Sequence, residues 1–331
     1  MGQAHEDAFA LDRRGPMPYV VAHGEGCSAG AEIEMKREHE FGRQTLETAI
    51  PPRPAPPAWD VGGSLDEAKL LDTQRAFDSV AADYDGPRGN NELIQRMRST
   101  VWDSVCRELP SGGSLLDLGC GTGLDALEFA RRGYQVVATD WSPQMVARTQ
   151  VRAAAAGMEA RVATEHLGIQ QLDRLDDSFD GIYSNFGPLN CAPDLHVVAA
   201  ECARLLRPGG RLMFSVIGRI CPWELVHYVL RGRWRRAGVR AARGATAVGM
   251  NRHTIWTFYY TPREFYRAFA AHFELTSYRA LGLFLPPPYL VDYYRRHRRY
   301  CAGLGWLDDR LGALPLLRGM GDHFLIVMRR R

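Results

Sequence analysis

Apolar positions along the chain switch between two periods at regular intervals. Leu115, Leu116 and Leu118 form a short run between Ser111-Gly112-Gly113 and a glycine-rich turn, which predicts a strand buried on both faces. Leu124, Leu127 and Ala130 follow at helical spacing and stop at Gly133. The alternation then repeats. Tyr134 to Asp140 reads as a second strand, Ser142-Pro143 as the N-cap and first position of a helix, residues 160–164 as a third strand and Phe179 to Phe186 as a fourth. Asp194 to Arg207 presents Leu195, Val198, Ala199, Cys202, Leu205 and Leu206 on one helical face, ended by Pro208-Gly209-Gly210, and Arg211 to Ile217 is a fifth strand. Thr261, Pro262 and Glu264 predict a capping box at the start of another helix, with strands over 273–278 and 323–328. Upstream, helical patterning begins at Asp66, and Glu92 to Leu109 carries Leu93, Met97, Val101, Val105 and Leu109 on one face as far as Pro110. Strands alternating with helices predict an α/β fold around a mostly parallel, Rossmann-like sheet.

The turn after the first strand carries the chemistry. Gly119, Gly121 and Gly123 leave three positions without a Cβ, so a ligand can lie against the backbone. A dinucleotide fingerprint would need its last glycine at position 124, which is Leu124, and a carboxylate at Asp117 would repel a pyrophosphate. Asp117 suits a cation instead. Asp140, at the end of the second strand, lies about 20 residues past the first glycine, the spacing at which a carboxylate accepts ribose hydroxyls.

Asp117-Leu118-Gly119-Cys120-Gly121-Thr122-Gly123, with Asp140 in register, resembles the first motif of the class I S-adenosylmethionine-dependent methyltransferases of small-molecule type. The resemblance covers roughly residues 75 to 217 and 258 to 331. It implies a seven-stranded sheet whose last strand is antiparallel, S-adenosyl-L-methionine as cofactor, Asp117 near the ligand's ammonium group, and Gly119, Cys120 and Gly121 along its methionine portion. It implies Asp140 on the ribose, with Trp141, Leu167, Gly168 and Asn185 lining the site. Ala76 to Asp85 resembles the segment that closes over the cofactor in this family, which brings Tyr84 to the methionine end. The family usually has an aspartate where this chain has Glu165-His166-Leu167-Gly168-Ile169, so backbone groups, Leu167 and Ile169, or Glu165, are left to hold the adenine.

Composition narrows the class. The 331 residues are 46% hydrophobic with a net charge of +3, enough for an α/β core and too balanced to argue for nucleic acid. Seven scattered cysteines without a C-x-x-C pair weigh against a disulfide framework or a metal site, and point to a reducing compartment. No apolar run reaches the ~18 residues of a membrane span and no signal peptide pattern opens the chain, so a cytoplasmic location is expected.

Seven divisions follow: 1–66, a disordered or loosely attached extension ending in a proline-rich run; 67–110, a helical lid; 111–217, the cofactor-binding core; 218–257, a first cap insertion; 258–283, a helix and the sixth strand; 284–320, a second cap insertion; 321–331, the last strand. Removing residues 1–66 is expected to leave folding intact. Both insertions leave strands at the carboxyl edge, where open α/β sheets bind ligands, so they should meet as a cap over the acceptor. The first holds seven arginines between Arg219 and Arg243 against one acid, Glu224. Aromatic surface mixed with guanidinium groups suits an acceptor with a ring or lipid body and an anionic end, with Trp223, His227, Tyr228, Trp256 and Tyr289 as its expected wall.

Methyl transfer from a sulfonium needs alignment more than acid–base help. A hydroxyl or ammonium acceptor would still require a base, for which His253, His227, Tyr183 and Glu224 are the candidates, with Asn190 as an orienting group. A small organic acceptor, aromatic, polyketide-like or lipid-like, is the leading reading. The competing ones are an RNA methyltransferase that uses the basic cap and a cofactor-binding protein without activity. Against nucleic acid stands Ser184-Asn185-Phe186-Gly187-Pro188-Leu189, which does not match the Asn/Asp-Pro-Pro-aromatic stretch that grips a flipped base. The basic cap also leaves peripheral membrane contact as a further expectation.

Overall fold

A computed structural model describes residues 65–331. The chain opens with α1 (Glu67–Val80) and α2 (Glu92–Glu108), capped by the side chains of Asp66 and Asn91. Then come β1 (Ser114–Leu118), α3 (Leu124–Arg131), β2 (Gln135–Asp140), α4 (Pro143–Ala155), β3 (Val162–His166), β4 (Phe179–Ser184), α5 (Leu195–Leu205) and β5 (Leu206–Ile217). The first insertion forms α6 (Pro222–Leu230), the short α7 (Trp234–Ala237) and a hairpin of β6 (Thr246–Met250) and β7 (His253–Thr257). After α8 (Pro262–Phe269) and β8 (Phe273–Leu281), the second insertion forms α9 (Val291–Arg296) and α10 (Arg298–Leu311), and β9 (His323–Arg330) ends the fold.

Seven strands form one sheet in the order β3-β2-β1-β4-β5-β9-β8. The pairs from β3 to β5 are parallel, and β9 runs antiparallel to both β5 and β8. Helices cover both faces. Val101 and Val105 of α2, Phe129 of α3 and Ala153 of α4 share one core cluster, while Val198 and Cys202 of α5 join Phe265 and Phe269 of α8 in the other. The strand order reverses between β1 and β4, which opens a crevice at their carboxyl ends. Among the described residues, no helix is long and apolar enough to cross a membrane.

Some sequence expectations shift. The third strand starts two residues later than expected, because Arg161 N and Val162 N both bond to Met158 O and close a turn first. Glu165 and His166 therefore belong to β3 and are exposed. The fifth strand starts early, at Leu206, with the Pro208-Gly209-Gly210 turn absorbed as an irregularity in its pairing with β4. The β6–β7 hairpin has no counterpart among the expected elements. The expected extension, residues 1–66, lies outside the described residues up to position 64, but its last two residues belong to the fold. Leu65 is buried and Asp66 accepts a hydrogen bond from Lys69 N.

The first insertion is locked down by a buried cation. The Arg240 guanidinium bonds Glu224 of α6 at 2.7 Å, Asp322 just before β9 at 2.6 Å and the carbonyls of Gly218 and Asp322. Its charge is fully compensated, so it fixes the insertion against the sheet edge.

Two outcomes follow for stability. A chain beginning at Leu65 should melt with the full-length protein, whereas one beginning at Glu67 should lose about 1 kcal/mol with its cap, read from thermal melts of both. Arg240→Met should cost about 3–5 kcal/mol in urea unfolding, because it leaves the buried carboxylates of Glu224 and Asp322 uncompensated.

Candidate functional site

β1 delivers the chain into the crevice as a turn with almost no side chains. Gly119, Gly121 and Gly123 all have positive φ, between 55° and 80°. A Cβ at Gly119 would stand 2.4 Å from Pro188, and one at Gly123 2.7 Å from Thr149, so these two glycines make room for protein. Gly121 is different. A Cβ there would meet only the Tyr84 ring, at 4.0 Å.

Asp140, at the end of β2, faces this turn. Its carboxylate accepts from Gly121 N at 2.8 Å and from Ser142 N at 2.8 Å. Burial pushes its carboxyl up to about 6, against the pull of those two N–H groups. Asp117, on β1, is buried and accepts from the Tyr183 hydroxyl at 2.9 Å. Burial and then repulsion from Asp125 push Asp117 well above the usual carboxylate range, with Tyr183 opposing. Two acids held toward neutrality in one crevice suit a cationic ligand, which would restore their charge. Asn185, just past β4, has both side-chain polar atoms buried without a partner, as is Trp141 Nε1. Such orphans fit a ligand with hydrogen-bonding groups. The turn, the acids and the orphans together fit S-adenosylmethionine, with Asp117, Asp140 and Asn185 as the residues that would hold it.

Leu167 is buried, its N bonded to Asp140 O at 3.0 Å, and Gly168 follows it. The Trp141 ring stacks on His166 at 5.8 Å. Cys120 is buried and burial pushes its thiol well up, so it packs rather than reacts.

The lid segment is tied to the same turn. Asp85 accepts from the Thr122 hydroxyl at 2.7 Å and pairs with Arg152 of α4. Tyr84, beside Phe77, stands over Gly121. Higher up, Gln74 of α1 bonds Trp141 O at 2.7 Å and Asp78 bonds Ser142 Oγ. Asp85 and Thr122 entered the sequence reading only as members of their motifs, without this pairing, and Arg152 was not singled out at all. Arg98 was also missed. It pairs with Asp125 at 2.5 Å and lies over the Phe186 ring at 5.1 Å. A charged residue inside the apolar stripe of α2 was the available signal.

The structure separates the catalytic candidates. Tyr183 is spent on Asp117, and burial followed by that acid's charge pushes its hydroxyl well up, which leaves a poor base. Asn190 is fully buried, its amide donating to Ile217 O and Phe258 O and accepting from Ile217 N. It clamps the first insertion and presents no free group. His253 is exposed to solvent at the start of β7. Glu224 is bound to Arg240. His227 is pushed down to about 4 by burial and by Arg231 and Arg233, so its imidazole is a weak base.

The expected acceptor wall divides in two. Trp223 stacks on His227 at 5.0 Å and meets Tyr293 edge-on at 5.3 Å, so the two insertions touch there. Tyr228 lies beside His227, and a hydrogen bond joins it to Tyr289. Trp256 lies elsewhere. It packs on α1, with its N bonded to Thr73 Oγ1 and Lys69 over its ring at 5.3 Å. Hairpin pairing turns it away from the other aromatics.

Residues 115–210 match the family described as methyltransferase domain. A ubiquinone biosynthesis O-methyltransferase of Xylella fastidiosa is 32% identical over 156 residues, 44% of this chain and 60% of that protein. A demethylmenaquinone methyltransferase of Mycobacterium marinum is 32% identical over 145 residues, 43% of this chain and 58% of that protein. The chain thus spans less than two thirds of the length of these relatives. Among solved structures, the (4+2)-cyclase SpnF matches with a TM-score of 0.52 at 16% identity, over 81% of this chain and 98% of the cyclase. A Haloferax volcanii methyltransferase solved with a methyltransferase activator matches with a TM-score of 0.51 at 18% identity, over 78% and 96%. At such identities the likeness shows the fold, and a cyclase on it shows that the fold alone does not name the reaction.

Cofactor affinity should depend on pH through Asp140. The ribose hydroxyls donate, so they need the ionised carboxylate, which is lost as pH falls through about 6. Calorimetry with S-adenosylmethionine should show full affinity at pH 7.5 and roughly tenfold weaker binding one unit below that pKa. Asp140→Asn should bind weakly at both values.

Proposed function

We propose that this chain, whose residues 115–210 form a class I S-adenosylmethionine-dependent methyltransferase domain, transfers a methyl group to a hydroxyl on a small aromatic acceptor. The observation that carries the reading is the pairing of a glycine-rich turn flanked by Asp117 and Asp140 with an aromatic cluster contributed by both insertions. Bound there, S-adenosylmethionine supplies an electrophilic methyl on a positively charged sulfur. The chain's own residues hold, align and exclude water. Asp140 takes the ribose, Asp117 the ammonium group, and α1 with Tyr84 covers the methionine end. Trp223, Tyr228, Tyr289 and Tyr293 form the wall that receives a ring.

The relatives named for ubiquinone biosynthesis and demethylmenaquinone support an aromatic acceptor. The basic cap supports nucleic acid less well than its composition suggests. Arg240 is buried in ion pairs, Arg219 bonds Glu264 and the carbonyl of Ala242, and Arg231 contacts His227. Arg236 lies over the Tyr228 ring at 6.0 Å, so four of the seven arginines already serve contacts within the protein rather than a phosphate backbone.

Mutation separates the two readings. Trp223→Ala should raise the acceptor KM about tenfold while leaving S-adenosylmethionine affinity unchanged, since a ring loses its stacking partner. Arg233, Arg235 and Arg236 replaced together by Gln should change turnover less than threefold, and salt between 50 and 300 mM should matter little. A steep salt dependence removed by the arginine changes, with a mild tryptophan variant, would indicate a polynucleotide acceptor instead.

A further inference from the structure

None of the sequence candidates is suited to be the base, yet another histidine stands at the carboxyl edge. His323 is the first residue of β9, paired with Ile217 of β5 and Leu281 of β8. Its Nδ1 lies 2.9 Å from Asp322 Oδ2. Asp322 is fixed in turn, through Arg240 on its other oxygen at 2.6 Å, its N on Gly282 O and its carbonyl accepting from Gly218 N. Burial alone would raise the Asp322 carboxyl, but Arg240 and His323 outweigh it and hold the group far below its usual range. Asp322 is therefore an acceptor only, so Nδ1 of His323 carries a proton, and in the neutral imidazole the lone pair is the one on Nε2. That Nε2 is buried and has no hydrogen-bond partner among the described residues.

The surroundings connect this nitrogen to the cofactor turn. The His323 ring meets Phe186 at 5.5 Å and 81°. Phe186 has φ 61°, a left-handed conformation that is strained for an aromatic residue. Asn185, immediately before it, carries two further orphaned polar atoms, and Pro188, two residues after it, packs on Gly119. The imidazole thus touches the same short loop that carries Asn185 and presses Pro188 on the turn. A leucine would pack at position 323 without leaving an unpaired polar atom, so core packing does not explain the histidine.

We propose that His323 Nε2 is the general base that takes the proton from the acceptor hydroxyl, oriented by Asp322 and packed edge-on against Phe186 of the loop after β4. This rests on the aromatic-hydroxyl reading above. In the step, the acceptor O–H bond breaks and its proton goes to Nε2. The electron pair left on oxygen forms the new O–C bond, and the pair of the broken C–S bond stays on the departing sulfur. The imidazolium that forms is stabilised by the Asp322 carboxylate and later returns its proton to solvent.

The test uses labelled methyl transfer to catechol and caffeate, together with 15N spectra of histidine-labelled protein bound to S-adenosylhomocysteine. In wild-type protein, one imidazole that disappears in His323→Gln should show the Nδ1–H tautomer, and its Nε2 resonance should move when catechol is added. His323→Ala should lower kcat on the order of 10²-fold or more, with S-adenosylhomocysteine affinity within twofold of wild type and partial rescue by imidazole. An alanine variant with kcat within twofold of wild type, an Nε2–H tautomer, or a resonance indifferent to catechol would each overturn the assignment. The spectra need no folded variant other than the assignment control. Wild-type protein that methylates neither phenol would overturn the acceptor reading itself, a separate failure.

Discussion

Three elements converge on five residues of backbone between β1 and α3. Pro188 presses on Gly119 from the loop after β4, Thr149 of α4 presses on Gly123, and Tyr84 of the lid stands over Gly121. The first two approaches are possible only because no Cβ is there, and each of the three fixes a different part of the molecule relative to β1. The loop after β4 carries Asn185 and Phe186; α4 carries Arg152, which holds Asp85; the lid brings α1 down on Trp141 and Ser142. A side chain at Gly119 or Gly123 would therefore displace the walls of the site as well as the turn.

The second organising constraint is electrostatic. Asp117, Asp125 and Asp140 gather at the carboxyl ends of β1 and β2, and Arg98 is the cation placed among them by α2. Its pairing is with Asp125, so Asp117 and Asp140 are left without a full counter-charge, which is why burial raises both. A short distance along the sheet edge the balance reverses. Arg240 pairs with both Glu224 and Asp322, and with His323 on the other oxygen it holds Asp322 ionised in the interior. One edge thus holds two acids without a direct cation beside two that share one.

Much of the fold was legible in the sequence because local signals agree with the global pattern. Asp66, Asn91, Ser142 and Thr261 all act as side-chain N-caps, and the glycine turn, Asp117 and Asp140 fall in the register that their spacing announced. The acceptor side was less legible. Trp223 and Trp256 look alike as sequence, but only the register of the β6–β7 hairpin turns Trp256 onto α1, and hairpin register is not written in composition. Asn190 resembled an orienting polar group until its amide was found closing on Ile217 and Phe258, 27 and 68 residues away. His323 opened what reads as an ordinary apolar strand, and its meaning depends on an acid fixed by an arginine 82 positions upstream of that acid.

Both insertions are attached at neighbouring points. The first leaves at Ile217 at the end of β5, the second at Leu281 at the end of β8, and β9 lies between those strands with His323 opposite both residues. The parallel strands that carry the cofactor turn lie on the other side of β5, yet the first insertion reaches well beyond its attachment point: Arg240 ties it to Asp322, Asn190 to the loop after β4, and the β6–β7 hairpin to α1. An exchanged insertion would therefore have to bring its own cation for Asp322 and its own cover for α1, so this part of the chain can diverge only in step with the edge it is bolted to.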